Sequence, residues 1–340
     1  MDILERRALV LARQHLTRPG DVNTVCRDLN GMQAQFFSYA RHALVTRCPE
    51  PLEEGWSREL VKSWTVRGTM HLFHRDDLPL FLHRGRGHFL RDVDRFGDDP
   101  WVSGERKRQF AALILESIDG GAGEREELRL RCREAGMTDG EEQSLFNSWG
   151  GVLRAMSEEG VICYEAGEAK RFRRCPAFAP MEADKARLEM ARRYFTHFGP
   201  ATVKDAAYYF GCTQREVRGW LKALPVRSVM CEGRECFYIR EEEPSDIPRC
   251  ILLAGFDQLM LGYEKKESIF LPPEHLRGVF NLSGIVMPCL LLDGVVSGRW
   301  KLSGRTCVVT TFRPFSAGEK ELVEEQILRW FPETKTIRFE

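Results

Sequence analysis

Between residues 183 and 240 the order of helix starts and stops leaves room for few folds. ADKARLEMARRYFTHF carries the 3.6-residue apolar period of a helix, and Gly199-Pro200 ends it. Thr202 can cap VKDAAYYF with Asp205 three residues on, and Gly211-Cys212 turns the chain. Thr213 then caps QREVRGWLKAL, with Glu216 as its acidic partner, until Pro225 stops it. VRSVMC and CFYIR follow as strands about the turn EGRE. Helix, helix-turn-helix and hairpin in that order predict a winged helix.

The same order recurs. RKRQFAALILESI is helical and ends at the glycines at 120, 121 and 123; EREELRLRCREAG is a second helix. Asp139 is expected to cap a third, GEEQSLFNSWGGVLRAMSEEG, before the strands VICYEA and RFRRCPAF. A looser copy opens the chain: LERRALVLARQHL, VNTVCRDLNGMQ and FSYARHALVTR read as helices. SRELVKSW is predicted as the helix in the recognition position, and TVRGTMHLF as strand, tight turn and strand. Residues 76–100 read as mostly helical. After Pro248 the composition shifts. ILLAGFDQLML, GIVMPCLLLDG, VVSGRWKL and TCVVTTFRPF are strand-like, with Asp293-Gly294 as a hairpin turn; the helix AGEKELVEEQILRWF and the strand TKTIRFE close the chain. The expected fold is α+β and mainly helical, with winged helices at 1–104, 105–180 and 181–247 and a β-barrel-like domain at 248–340.

A duplicated helix-turn-helix points to duplex DNA, its third helix suited to the major groove and its wing to phosphates. Net charge is zero, with 50 Lys plus Arg against 50 Asp plus Glu, so local distribution must carry any DNA contact. Lys170, Arg171, Arg173 and Arg174 cluster on one hairpin arm around Phe172, at a spacing that suits phosphates or, equally, a charged edge strand exposed to solvent. A second basic stretch runs over residues 83–95, with Arg84, Arg86, His88 and Arg91 diluted by Asp92 and Asp94. No run of 18 apolar residues is present, and the N-terminus lacks the pattern of a secretory signal, so a cytoplasmic protein is expected, nucleoid-associated in a bacterium. The 11 cysteines are scattered and fit reduced thiols; Cys231 and Cys236 lack the partners of a zinc tetrad. No metal or cofactor is expected. A monomer is the default, since no coiled-coil pattern appears.

Near the N-terminus stands Gln33-Ala34-Gln35. In an extended segment alternate side chains point the same way, so the two amides can converge. An amide can hold a water but takes a proton from it only feebly, which suffices only where the leaving group departs readily. A purine alkylated at N7 or N3 is positively charged and leaves readily. Two polar residues beside a helix end are the plainer explanation of the same letters.

Met32-Gln33-Ala34-Gln35 together with Ser63-Trp64-Thr65-Val66-Arg67-Gly68-Thr69-Met70-His71-Leu72 resembles the AlkZ-like family of winged-helix DNA glycosylases. Phe256-Asp257-Gln258-Leu259-Met260-Leu261-Gly262-Tyr263 and Leu292-Asp293-Gly294-Val295-Val296-Ser297-Gly298 carry the resemblance into the tail. It implies tandem winged helices around DNA and excision of N-alkylated purines, in some members with unhooking of interstrand crosslinks. The family's catalytic glutamines fall on Gln33 and Gln35. Phe36 departs from the acidic or small polar residue common there, and Gln35 places the chain with the crosslink-type branch rather than the one with Asp. The expected partner is double-stranded DNA carrying alkylated bases, gripped by Arg67, Lys170, Arg171, Arg173 and Arg174. Two rivals need no catalytic glutamines: a non-catalytic winged-helix DNA-binding regulator and a protein-interaction scaffold.

Overall fold

The computed structural model describes residues 1–49, 52–82 and 96–340. The basic stretch expected at 83–95 therefore lies outside the described residues. The chain divides into two compact units: Met1–Glu54 with Met190–Glu340, and Gly55–Glu189. Among the described residues no helix is long and apolar enough to cross a membrane.

The first unit opens with α1 (Ile3–Arg13), α2 (Val22–Asp28), the two-residue strand β1 (Met32–Gln33) and α3 (Phe37–Val45). Asp2 and Asp21 cap α1 and α2 by accepting backbone N–H groups.

The second unit begins with β2 (Leu60–Trp64) and β3 (Met70–His74), then α4 (Leu78–Phe81). The helix expected over SRELVKSW is thus a strand. Its centre is buried at consecutive residues, Val61 and Lys62, and β3 pairs along one edge while Tyr164 faces Lys62 across the other. Neighbours that satisfy both edges outweigh the helical propensity of Arg-Glu-Leu. Next come α5 (Gly104–Asp119), α6 (Arg125–Glu134), α7 (Asp139–Leu145), α8 (Gly151–Glu158), β4 (Ile162–Tyr164) and β5 (Phe172–Arg174). The single helix expected after Asp139 is broken into α7 and α8. Gly150 and Gly151 both take positive φ, and a Cβ on Gly151 would lie 2.0 Å from the Leu145 carbonyl oxygen. The Gly-Gly pair is a stop signal inside an apolar period. Thr138, not Asp139, caps α7, in a box with Glu141. Within this unit strands lie in the order β3, β2, β4, β5. Phe110, Ile114, Leu128, Leu153, Met156 and Ile162 belong to its buried core.

α9 (Ala183–His197) leads back into the first unit, followed by α10 (Val203–Phe210), α11 (Gln214–Ala223) and the hairpin β6 (Arg227–Cys231) and β7 (Arg234–Tyr238). The capping boxes Thr202 with Asp205 and Thr213 with Glu216 are formed, and Glu232-Gly233 turns the hairpin at positive φ. Tyr194, Phe198, Tyr209 and Phe210 pack ring against ring between α9 and α10. The tail holds β8 (Cys250–Leu252), α12 (Gln258–Leu261), α13 (Leu276–Val279), β9 (Cys289–Leu292), β10 (Val295–Ser303), β11 (Thr306–Thr311), α14 (Ala317–Trp330) and β12 (Thr336–Phe339). Gln-Leu-Met-Leu, expected in a strand, is helical because Asp257 caps it.

The barrel expected over 248–340 does not form. The five strands make an open sheet in the order β12-β11-β10-β9-β8, with β12 parallel to β11 and β8 antiparallel to β9. Amphipathic α14 supplies the reason. Val323 and Ile327 pack on Leu252, Leu290 and Trp300, so a helix buries the sheet's apolar face and closure is unnecessary.

Candidate active site

The Gln33-Ala34-Gln35 segment joins β1 to α3, and the tail of the same unit ties it down at three places. Ahead of it, the Gln258 amide donates to the Gly31 carbonyl at 2.6 Å. Within α3, His42 Nε2 lies 2.9 Å from the Leu252 carbonyl, which can only accept, so Nε2 carries the proton. At the end of α3, Arg47 grips Asp257 with two parallel bonds, Nη1 to Oδ2 at 2.9 Å and Nη2 to Oδ1 at 2.7 Å, both side chains fully buried. Arg47 also donates from Nε to the Gln14 carbonyl and from Nη1 to the Ala43 carbonyl. His42 packs edge-on to Trp300 at 5.2 Å and stacks on Phe331 at 5.3 Å. Burial in that aromatic cage pushes its pKa down to about 4, so the ring is neutral when it donates to Leu252.

The two glutamines have different surroundings. Gln33 is buried, 6% exposed, and Ala34 beside it is fully buried. The chain bends at Gln35 and Phe36, which ends the strict alternation of an extended strand, and Gln35 is exposed. Phe36 stands 46% exposed, with ring centroids 5.5 Å from Tyr39 and 6.0 Å from Phe256. Phe256 holds positive φ, and a Cβ on neighbouring Gly255 would meet the Tyr39 ring at 2.6 Å, so the tail approaches α3 as closely as backbone permits. An exposed amide beside an exposed aromatic face can hold a water and offer a surface for a planar base.

In the other unit, Arg67 sits in the turn between β2 and β3 at φ 58, partly exposed. Burial most strongly, and then the charge of Arg67, lower the pKa of His71 to about 3. The basic hairpin is tied into the protein. Arg174 makes a two-point pair with Asp119 at 2.5 Å, Arg171 lies 3.5 Å from Glu124 and donates to the Gly121 carbonyl, and Arg173 donates to the Leu60 carbonyl. Lys170 is exposed at the start of the arm. Along the arm Phe172 is buried in the core, Arg171 and Arg173 are partly exposed, and Lys170 and Arg174 are exposed.

Sequence reasoning gave no role to the residues that position the segment: His42, Arg47, and the Asp257 and Gln258 that it quoted only as part of the resemblance. The available signals were a histidine and an arginine in the apolar helix FSYARHALVTR and the polar pair inside FDQLML. Polar residues amid buried runs need partners: Arg47 and Asp257 pair with each other, and His42 and Gln258 take the backbone carbonyls of Leu252 and Gly31.

The chain as a whole is similar to known proteins. The family described as DNA glycosylase AlkZ-like matches residues 26–331. The chain is 31% identical, in an alignment of 338 residues covering 90% of each protein, to a protein of Streptomyces sahachiroi named interstrand DNA cross-link repair glycosylase. The solved structure of Streptomyces sahachiroi DNA glycosylase AlkZ superposes with a TM-score of 0.79 over 100% of both chains at 24% identity, a likeness of fold.

Proposed function

The chain belongs to the AlkZ-like DNA glycosylase family, an enzyme acting on N-glycosyl bonds of DNA, and on that premise we propose that it excises purines alkylated at N7 or N3 and unhooks interstrand crosslinks. The observation that carries the reading is the buried three-point anchorage of the Gln33–Gln35 segment, which fixes an exposed amide beside an exposed ring. The name of the Streptomyces sahachiroi relative supports the crosslink substrate. Gln33 and Gln35 are the catalytic pair. The C1′–N bond breaks first, and the base leaves with the electron pair, which cancels its positive charge. A water held by Gln35, with Gln33 positioned behind it, adds its oxygen to C1′ of the oxocarbenium-like sugar and gives its proton to solvent. Neutral amides suffice because the leaving group needs no protonation.

The protein binds duplex DNA as a monomer in the cytoplasm, through winged helices at 1–104, 105–180 and 181–247. The order of three helices and a hairpin in residues 183–240, and of α5 to α8 with β4 and β5, supports this reading. In the first copy α3 takes the place given to SRELVKSW. Arg67, Lys170, Arg171, Arg173 and Arg174 grip phosphates, and Arg171, Arg173 and Arg174 exchange their present partners for the backbone of DNA.

The test uses three defined duplexes: unmodified, bearing an N7-alkylguanine mono-adduct, and crosslinked through N7-alkylguanine. Purified protein should release base from the two damaged duplexes and none from the first. No release from either damaged duplex contradicts the reading.

A further inference from the structure

A second constellation in the first unit is unrelated to the glutamines. Among the described residues, His15, Asp28 and His197 place ligand-capable atoms within 4.8 Å of one another. Each comes from the C-terminal end of a helix: His15 just past α1, Asp28 as the last residue of α2, and His197 as the last of α9. We propose that these three residues form a site for a divalent transition-metal ion of the zinc class, which pins the three helix ends together.

The hydrogen bonds define the tautomers. His15 Nδ1 lies 3.2 Å from the Arg18 carbonyl and His197 Nδ1 lies 3.3 Å from the Arg13 carbonyl. A carbonyl oxygen only accepts, so both protons sit on Nδ1. This is the arrangement that outer-shell carbonyls impose on metal-binding histidines. Both Nε2 atoms then turn lone pairs toward the Asp28 carboxylate, at 2.8 Å to Oδ2 and 3.3 Å to Oδ1. Lone pairs facing lone pairs call for a cation between them. One divalent ion meets all three groups, whereas protons would set two charged rings 6.1 Å apart over a single carboxylate. Ligand atoms around a tetrahedral ion at about 2.0–2.1 Å stand roughly 3.3 Å from each other, against 2.8 Å and 3.3 Å from the two Nε2 atoms to the carboxylate.

Two further features mark the place as built. His15 takes φ 63, in the left-handed region that few residues other than glycine adopt. Gly20 leaves room beside it, since a Cβ there would lie 3.0 Å from His15 Nδ1, tighter than ordinary contact. The three side chains are partly exposed, so an ion can reach them and water can complete its shell. Two imidazoles and a carboxylate with an open position suit Zn²⁺ and Co²⁺ better than Mg²⁺ or Ca²⁺.

The experiment uses the full chain stripped with chelator and titrated with Co²⁺ alone. The wild type should bind a single Co²⁺ with visible d–d bands and no thiolate charge-transfer band, which separates the site from the cysteines. Asp28→Asn and His197→Gln, each shown folded by circular dichroism, should weaken that binding by more than about 100-fold, beyond the cost of losing an outer-shell partner. Zn²⁺ should raise the Tm of the wild type and not of the variants. If a variant does not fold, the wild-type histidine NMR signals decide, because only those of His15 and His197 should broaden with Co²⁺. Absence of binding, equal binding by a folded variant, or broadening elsewhere overturns the proposal.

Discussion

The glutamine segment and the basic hairpin resemble each other as strings of polar residues, yet the protein treats them in opposite ways. Around Gln33–Gln35 the polar groups that matter for position are buried and satisfied: Arg47 with Asp257, His42 with Leu252, Gln258 with Gly31. On the hairpin, Arg171 and Arg174 meet acids at the surface, where a partner can be exchanged for phosphate at little cost. The contrast assigns rigidity to the region proposed for chemistry and exchangeable charge to the region proposed for affinity.

The contrast breaks first at Arg47. Arg47→Met leaves Asp257 buried without its partner, and urea unfolding should show a loss of roughly 3–5 kcal/mol. A loss no larger than a surface pair gives would remove the distinction between the regions. The next effect is on pH. His42 is neutral in the folded protein with its pKa lowered to about 4, while an unfolded histidine titrates near 6.5. The unfolded state therefore binds more protons across that window, and stability falls as pH drops from about 6.5 toward about 4. Between about pH 7.5 and pH 5 the wild type should lose about 2 kcal/mol from this group, and His42→Gln, whose amide can still donate to Leu252, should lose that much less.

Smaller effects sharpen the hairpin side. Arg171→Ala with Arg174→Ala should reduce the salt slope of duplex binding by roughly one for each phosphate no longer neutralised. An unchanged slope would leave these arginines as surface pairs only. Asp119→Ala should leave the urea midpoint unchanged, because its partner Arg174 is a solvated cation. A clear drop in that midpoint would show the pair to be structural.

Where local chemistry decided the outcome, the sequence was a good guide. Thr202 with Asp205, Thr213 with Glu216, and the turns at Glu232-Gly233 and Asp293-Gly294 all formed as their letters required. Where neighbours decided, it was not. Leu60–Trp64 became a strand because both its edges found partners, and the tail stayed an open sheet because α14 covered it. Gly150-Gly151 did signal a break, but the longer apolar period around it favours one continuous helix by pattern alone. The candidate site was legible in part. Gln33 and Gln35 stood out by resemblance, but the anchorage by Asp257 and Gln258 joins residues more than 200 apart, which no local pattern encodes. The basic arm was legible as charge, whereas its pairing with Asp119 and Glu124 was not.

The central claim is that the glutamines carry chemistry and the cations carry affinity. Single-turnover excision of N7-alkylguanine from a defined duplex, measured beside the Kd for that duplex, tests both halves at once. For Gln33→Ala/Gln35→Ala the account predicts a rate lower by about 100-fold or more with a nearly unchanged Kd, since the missing interaction belongs to the transition state. Near-normal excision by that folded double variant, or a fall in rate matched by an equal fall in affinity, would contradict it.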